Sequence, residues 1–157
     1  MNLDRRSLLR GAGETHSFGR RLGRHLKPGD WVGLRGEMGA GKTTLVSGIV
    51  EGIHPGMRSR SPTYVRVEVY GGSPAIVHAD LYRLEKPEEW DTLGIEDLAH
   101  GAIVVVEWAD RAPDRLPEER LDVSLRYAGP DAREVRIEPR GPRWQSLVRQ
   151  GALEPET

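Results

Sequence analysis

Eight consecutive residues, 36 to 43, have the types and spacing best suited to chemistry in this sequence. They read Gly-Glu-Met-Gly-Ala-Gly-Lys-Thr and fit the pattern G-x-x-x-x-G-K-[ST] of a phosphate-binding loop. Glycines permit the tight turn that directs successive backbone N–H groups toward phosphate oxygens. We expect Lys42 to reach the β- and γ-phosphates of a nucleotide and the Thr43 hydroxyl to bind Mg²⁺. The sequence therefore predicts a site for a nucleotide with its magnesium ion.

The residues on either side of the loop have the context that such a loop requires. The short apolar run Trp31-Val32-Gly33-Leu34 follows the turn signal Pro28-Gly29-Asp30 and is typical of a strand. After the loop, apolar side chains recur at positions 45, 46, 49, 50 and 53, which predicts a helix. A helix that starts in the loop directs the positive end of its dipole at the bound anion.

Two acids are placed to complete a hydrolytic site. Glu107 follows the apolar run 102–106, which we interpret as a central strand, and Asp80 follows a weaker strand at 75–79. Hydrolysis of a nucleotide needs a second magnesium ligand and a group that orients water. In folds with a phosphate loop, these groups lie at the carboxyl ends of sheet strands, beside the loop. An acid at a strand end can also be a solvated residue at the boundary of the core. Spacing alone therefore does not decide whether Glu107 and Asp80 are functional or structural.

The other elements predict the fold class. Helical spacing or capping signals predict helices at 15–26, with Thr15 as the N-cap, at 87–100 and at 142–150. Alternating residues predict two antiparallel hairpins, at 63–80 and 121–137. We therefore expect an α/β P-loop NTPase fold of three layers, with a mixed, mostly parallel central sheet and antiparallel hairpins. Residues 1–157 are expected to form one domain, in which roughly the first twelve and last ten residues are peripheral.

Composition excludes several classes of site. The formal net charge is −1, so the chain lacks the basic footprint of a protein that binds nucleic acid by itself. It contains no cysteine, which excludes disulfides and thiolate metal sites. The five histidines do not cluster at metal-ligand spacing, and we interpret most of them as surface or packing residues. No stretch has the length of a signal peptide core or a membrane span, so we expect a cytoplasmic protein without membrane contact.

Five motifs, taken together and in this order, resemble the TsaE family, formerly called YjeE. They are Gly36–Thr44, Ser61-Pro62-Thr63-Tyr64, His78-Ala79-Asp80-Leu81-Tyr82-Arg83-Leu84, Leu93-Gly94-Ile95-Glu96-Asp97 and Val106-Glu107-Trp108. The phosphate loop alone is generic, whereas the complete set is specific, and it spans residues 14–138 or so. The sequence departs from the family pattern at Glu37-Met38, where Asp-Leu is usual, and at Ala79, where an aromatic residue is usual.

The resemblance implies a weak, partner-activated ATPase that bacteria need to make threonylcarbamoyladenosine in tRNA. Its implied cofactors are ATP and Mg²⁺, and its implied partners are the TsaD and TsaB proteins, through which it meets tRNA indirectly. Thr43 and Glu107 would be the magnesium ligands, Lys42, Asp80 and Glu107 the catalytic residues, and Trp108 part of a functional Glu-Trp pair. The implied ATP contacts are Thr15, Glu37, Met38, Gly39, Ala40, Gly41, Lys42, Thr43, Thr44 and Arg133. Ser61, Thr63 and Tyr64 would belong to a switch-like segment near the γ-phosphate.

Two other functions fit a phosphate loop. A small-molecule kinase needs an acceptor pocket and usually an arginine-bearing lid, which Arg111 and Arg115 in a proline-bounded loop could supply. A GTP switch would need an Asn-Lys-x-Asp guanine reader, and the sequence has no such tetrapeptide.

Overall fold

The computed structural model describes residues 3–59 and 66–154. Its strands are β1 (Arg5–Arg10), β2 (Trp31–Gly36), β3 (Val67–Tyr70), β4 (Ile76–Asp80), β5 (Ile103–Glu107), β6 (Arg120–Tyr127) and β7 (Ala132–Arg140). Its helices are α1 (Gly11–Arg24), α2 (Lys42–Ile53), α3 (Ile95–Leu98) and α4 (Pro142–Arg149), and short 3-10 turns cover Pro87–Thr92, Ala109–Arg111 and Pro113–Arg115. Within the described part of the chain, no helix is both long and apolar enough to cross a membrane.

All seven strands form one mixed sheet in the order β1-β7-β6-β2-β5-β4-β3. The pairs β6–β2, β2–β5 and β5–β4 are parallel and lie next to one another at the centre. The pairs β1–β7, β7–β6 and β4–β3 are antiparallel and form the two sides of the sheet. The predicted mixed sheet with antiparallel hairpins is therefore confirmed. Because β2, β4 and β5 run parallel, their carboxyl ends meet at one edge of the sheet.

The sheet separates two apolar cores, which confirms the predicted three layers. One core contains side chains of α1, α2 and α4, such as Phe18 and Ile49. The other contains Trp90 and Ile95 and is covered by the 3-10 turns and α3. Side chains of β5 alternate between these cores: Ile103 and Val105 face the first, Val104 and Val106 the second. Continued alternation places Glu107 on the face that α2 covers.

Helices α1 and α2 pack with their backbones in close approach, because glycines lie at the contact. A Cβ atom added to Gly48 would lie 2.2 Å from the carbonyl oxygen of His16, and one added to Gly19 would lie 2.4 Å from that of Leu45. Only a residue without a side chain fits such a distance. The close contact fixes α1 beside the helix that begins in the phosphate loop.

Two predicted helices were wrong in their extent. Helix α1 begins at Gly11, so Thr15 lies inside it rather than at its N-cap; the Thr15 hydroxyl donates to the Gly11 carbonyl oxygen at 3.3 Å. The Glu14 carboxylate accepts the Arg10 N–H at 2.7 Å at this end of the helix. Residues 87–100 form a 3-10 turn and the four-residue α3 instead of one helix, because Gly94 adopts φ +71° between them.

Candidate nucleotide-binding site

The segment 36–43 connects the end of β2 to the start of α2. Gly41 adopts φ 104° and ψ 13°, a left-handed conformation that favours glycine, and directly precedes the first helical residue. The first helical hydrogen bond runs from the Leu45 N–H to the Gly41 carbonyl oxygen at 2.9 Å. The N–H groups of the first helical turn therefore lack intrahelical acceptors and can bind an anion.

Lys42 is buried inside the loop, with a relative exposure of 6%. Its ammonium donates hydrogen bonds to the carbonyl oxygens of Gly36 and, at 2.8 Å, of Glu37. The Nζ atom also lies 4.3 Å from the centre of the Trp108 ring. Burial lowers the pKa of Lys42, and the carboxylates of Glu107 and Asp80 oppose that shift. The loop thus holds a desolvated amine between carbonyl oxygens, an aromatic face and two acids.

Asp80 and Glu107 are the last residues of β4 and β5 and are directly paired in the parallel register. The carboxylate of Asp80 accepts the Tyr82 N–H at 2.9 Å through Oδ1. Burial raises the pKa of Asp80, the Tyr82 hydrogen bond lowers it, and the charge of Glu107 raises it further. Two acids at one edge, one of them with a raised pKa, are typical of a functional site.

His78 lies two residues before Asp80 on β4 and was not singled out as a site residue by the sequence analysis. Its ring is 3% exposed, and Nε2 lies 2.6 Å from Oε2 of Glu107. Interpretation of this histidine as a surface or packing residue was incomplete, because it is buried against a site carboxylate. The contact joins two neighbouring strands, so single-strand periodicity could not indicate it; its position in the motif His78–Leu84 was the available signal.

Trp108 follows Glu107 in a left-handed conformation, with φ 55° and ψ 41°. It is the one residue other than glycine with a positive φ among the described residues, and such a conformation costs about 1–2 kcal/mol for an L-residue. Its ring contacts that of Tyr82 at a centroid distance of 5.1 Å, and the guanidinium of Arg111 lies 5.3 Å from its centre. The strained turn brings the indole ring over Lys42, which links strain to the site.

A pocket of about 360 Å³ lies above the loop. Its lining residues are Met38, Gly39, Gly41, Lys42, Thr43, Thr44, Asp80, Tyr82, Glu107 and Trp108. Thr43 is exposed and lines the same pocket as the acids Asp80 and Glu107. Among the described residues no cluster of three His, Cys, Asp or Glu side chains could hold a metal alone. Hydroxyl and carboxylate oxygens suit Mg²⁺, which usually completes its shell with phosphate oxygens and water.

A second pocket, of about 220 Å³, adjoins the first across the loop. Its lining residues are Gly11, Ala12, Thr15, Gly39, Gly41, Thr44, Pro130, Asp131 and Arg133. Because Gly39, Gly41 and Thr44 line both pockets, the two form a continuous surface. The second pocket lies between α1 and the second hairpin.

Arg133 and Tyr127 hold the loop from the second hairpin. The Arg133 Nε atom donates to the Ala40 carbonyl oxygen at 3.2 Å, and its guanidinium lies 4.2 Å from the centre of the Tyr127 ring. The Tyr127 hydroxyl donates to the Met38 carbonyl oxygen at 3.3 Å. Tyr127 has no motif signal in the sequence, because its contact with the loop spans 89 residues.

The structure brings most of the predicted site residues together around these two pockets. Glu37 and Ala40 line neither pocket in the described structure, but their carbonyl oxygens accept hydrogen bonds from Lys42 and Arg133. Ser61, Thr63 and Tyr64 lie outside the described residues.

Comparison with known proteins identifies the family. The family model described as "Threonylcarbamoyl adenosine biosynthesis protein TsaE" matches residues 9–135. The chain belongs to the TsaE family. The TsaE protein of Bacillus subtilis strain 168 is 36% identical over 136 residues, which cover 85% of each chain. That of Streptomyces coelicolor is 40% identical over 135 residues, covering 81% of this chain and 91% of the relative.

A solved structure supports the fold assignment. The crystal structure of YdiB from Bacillus subtilis aligns with a TM-score of 0.79 and 29% identity. The alignment covers 97% of this chain and 95% of the other. The family and fold expected from the sequence motifs of the TsaE family are thus confirmed.

Proposed function

We propose that this protein is a Mg²⁺-dependent ATPase that acts with TsaD and TsaB in threonylcarbamoyladenosine modification of tRNA. The observation that carries the proposal is the convergence of Lys42, Asp80 and Glu107 on one pocket above the phosphate loop. The pathway is proposed from membership of the TsaE family, whose description names threonylcarbamoyl adenosine biosynthesis.

ATP would lie across both pockets, with its phosphates above the loop and its nucleoside between α1 and the second hairpin. Thr15 and Arg133, at the nucleoside compartment, are then nucleotide contacts. In the described structure the Lys42 ammonium donates to the carbonyl oxygens of Gly36 and Glu37. When ATP binds, Lys42 exchanges these for phosphate oxygens, whose charge is better matched to an ammonium.

Thr43 and Glu107 would hold Mg²⁺ at the edge of the sheet. Both line the pocket above the loop, and a hydroxyl with one carboxylate is a donor set that suits this ion. When bound, Mg²⁺ supplies neutralisation of charge on the β- and γ-phosphates. Glu107 is 6% exposed, so its carboxylate is held away from competing water.

Asp80 would orient the water that attacks the γ-phosphate. Its carboxylate lies in the same pocket and is half-buried at the strand end next to Glu107. The Tyr82 N–H holds Oδ1, which leaves Oδ2 to accept a hydrogen bond from water. Burial raises the pKa of Asp80, so hydrolysis should fall in acid as this carboxylate becomes protonated.

The partners are proposed from the family. The net charge of −1 accords with contact to tRNA through TsaD and TsaB rather than through a basic surface of this chain. The same role would place the protein in the cytoplasm.

Phosphate release from ATP, measured with Mg²⁺ or with excess EDTA and with or without TsaD and TsaB, tests the proposal. We expect slow Mg²⁺-dependent hydrolysis that the partner pair accelerates. Robust turnover that requires a small-molecule acceptor would favour the kinase alternative. Failure to bind ATP would refute both functions.

A further inference from the structure

His78 takes part in none of the catalytic or binding roles above. A role for His78 at Glu107 rests on the proposed function, in which Glu107 is a magnesium ligand. His78 is the one buried histidine among the described residues, with 3% exposure. Burial of an imidazole is unfavourable unless the ring has a hydrogen-bond partner, so the partner of the His78 ring is the feature to identify.

Strand geometry places His78 on the site face of the sheet. Ile76 belongs to the core covered by α1 and α2, while Val77 and Ala79 belong to the opposite core. Alternation puts His78 on the same face as Ile76 and Asp80. On β5 the same face carries Val105, the register partner of His78, and then Glu107. The imidazole therefore lies between the hydrophobic core and the two acids.

The hydrogen bond fixes one oxygen of the Glu107 carboxylate. Nε2 of His78 lies 2.6 Å from Oε2, and it is the one hydrogen bond that this ring makes within residues 3–59 and 66–154. A hydrogen bond to an ionised carboxylate needs a donor, so we expect the ring to carry a proton on Nε2 and to donate it to Oε2. Nδ1 is buried and has no hydrogen-bond partner among the described residues. The polar role of the ring is thus its contact with Glu107.

We propose that His78 is a positioning residue that holds Oε2 of Glu107 so that Oε1 is presented to Mg²⁺. A carboxylate with two free oxygens can rotate about its last side-chain bond, whereas one tied to a buried ring has a fixed plane. Such partners of metal ligands typically contribute about 10–100-fold to metal affinity. His78 itself touches neither the nucleotide nor the metal in this account.

Substitutions that mimic either ring nitrogen test the proposal. In His78→Gln the side-chain amide extends about as far as Nε2 and keeps a donor for Glu107. In His78→Asn the amide extends about as far as Nδ1 and falls short of Glu107. His78→Leu removes all polarity at similar volume. His54→Leu is the matched control, because Nε2 of His54 lies 2.7 Å from the Pro74 carbonyl oxygen and serves no site residue.

The measurement is binding of a fluorescent, non-hydrolysable ATP analogue during titration with MgCl₂. The Mg²⁺ concentration for half-maximal effect should rise about tenfold in His78→Asn and His78→Leu. It should stay near the wild-type value in His78→Gln and His54→Leu. Wild-type behaviour of folded His78→Leu would overturn the proposal, as would an equal loss in His78→Gln. Absence of Mg²⁺-dependent binding in the wild-type protein would instead count against the proposed function.

A second measurement on the wild-type protein does not depend on whether the variants fold. Nitrogen NMR of the ¹⁵N-labelled, nucleotide-free protein at neutral pH reports which ring nitrogen of His78 carries a proton. We expect a proton on Nε2. An Nε2 without a proton, with the proton on Nδ1, would overturn the proposal.

Discussion

Substitution of Gly48 by alanine should test how the helix pair supports the site. The added Cβ would lie 2.2 Å from the His16 carbonyl oxygen and 3.0 Å from the Arg20 nitrogen. Ordinary contact begins near 3.4 Å, so α1 and α2 would have to separate by about 1.2 Å. Both contacts are with backbone atoms, so no change of rotamer can relieve them.

The change in the free energy of unfolding of Gly48→Ala follows from two opposing effects. Overpacking typically costs about 1–3 kcal/mol, and a clash between backbones belongs at the upper end of that range. Alanine in place of a helical glycine stabilises the helix by about 1 kcal/mol, because alanine has the higher helix propensity. We therefore expect a net loss of about 2 kcal/mol, which lowers the melting temperature by about 4–8 °C in a protein of this size.

Gly48→Ala should also weaken nucleotide binding. Thr15 on α1 and Thr44 on α2 line the same compartment, so separation of the helices widens it. Thermal unfolding and calorimetric titration with ATP measure the two effects on the same sample.

Gly13→Ala is the matched control in α1. A Cβ atom there would have no atom within 4 Å, so only the gain in helix propensity remains. Its stability should rise by up to about 1 kcal/mol. If Gly48→Ala melts at or above the wild-type temperature, the tight helix contact is not what holds these elements together.

Four further predictions concern the site and the proposed partners. Lys42→Ala should abolish ATP hydrolysis, because it removes the charge expected at the β- and γ-phosphates; wild-type phosphate release would contradict the site. Asp80→Asn should lower hydrolysis about 100-fold or more while ATP binding by calorimetry persists, and loss of binding would contradict the water-orienting role. Because burial raises the pKa of Asp80, its ionisation destabilises the folded state as pH rises above the ordinary value of 3.8. Asp80→Asn should therefore melt higher than wild type near pH 7.5, with the difference shrinking toward pH 3.8, and a lower melting temperature near pH 7.5 would contradict this electrostatic account. Addition of TsaD and TsaB should raise turnover of the wild-type protein, and no response to a competent pair would contradict the partner assignment.

Local sequence patterns predict those features of the fold and the site that depend on a single element. The glycine pattern before Lys42 predicts a tight turn ahead of a helix, and Gly41 makes that turn in a left-handed conformation. The apolar run before Glu107 predicts a strand buried on both faces, and every residue of β5 is buried. These features depend on neighbours in the chain, so periodicity and residue type suffice.

Features that depend on distant neighbours were not predicted. One local feature was also missed: the pattern of residues 87–100 predicts one helix, whereas Gly94, at φ +71°, divides the segment into a 3-10 turn and α3. Neither the His78 contact with Glu107 nor the Tyr127 contact with Met38 is visible from one segment, because each joins two strands or a strand and a loop. The site residues that the sequence analysis missed are of this kind.

A crystal structure with Mg²⁺ and a non-hydrolysable ATP analogue tests the central claim most directly. We expect the polyphosphate within the turn between β2 and α2, the Lys42 ammonium on its outer phosphates, and the metal bound by Thr43 and Glu107. A nucleotide bound elsewhere, or a metal that contacts neither residue, would contradict the account.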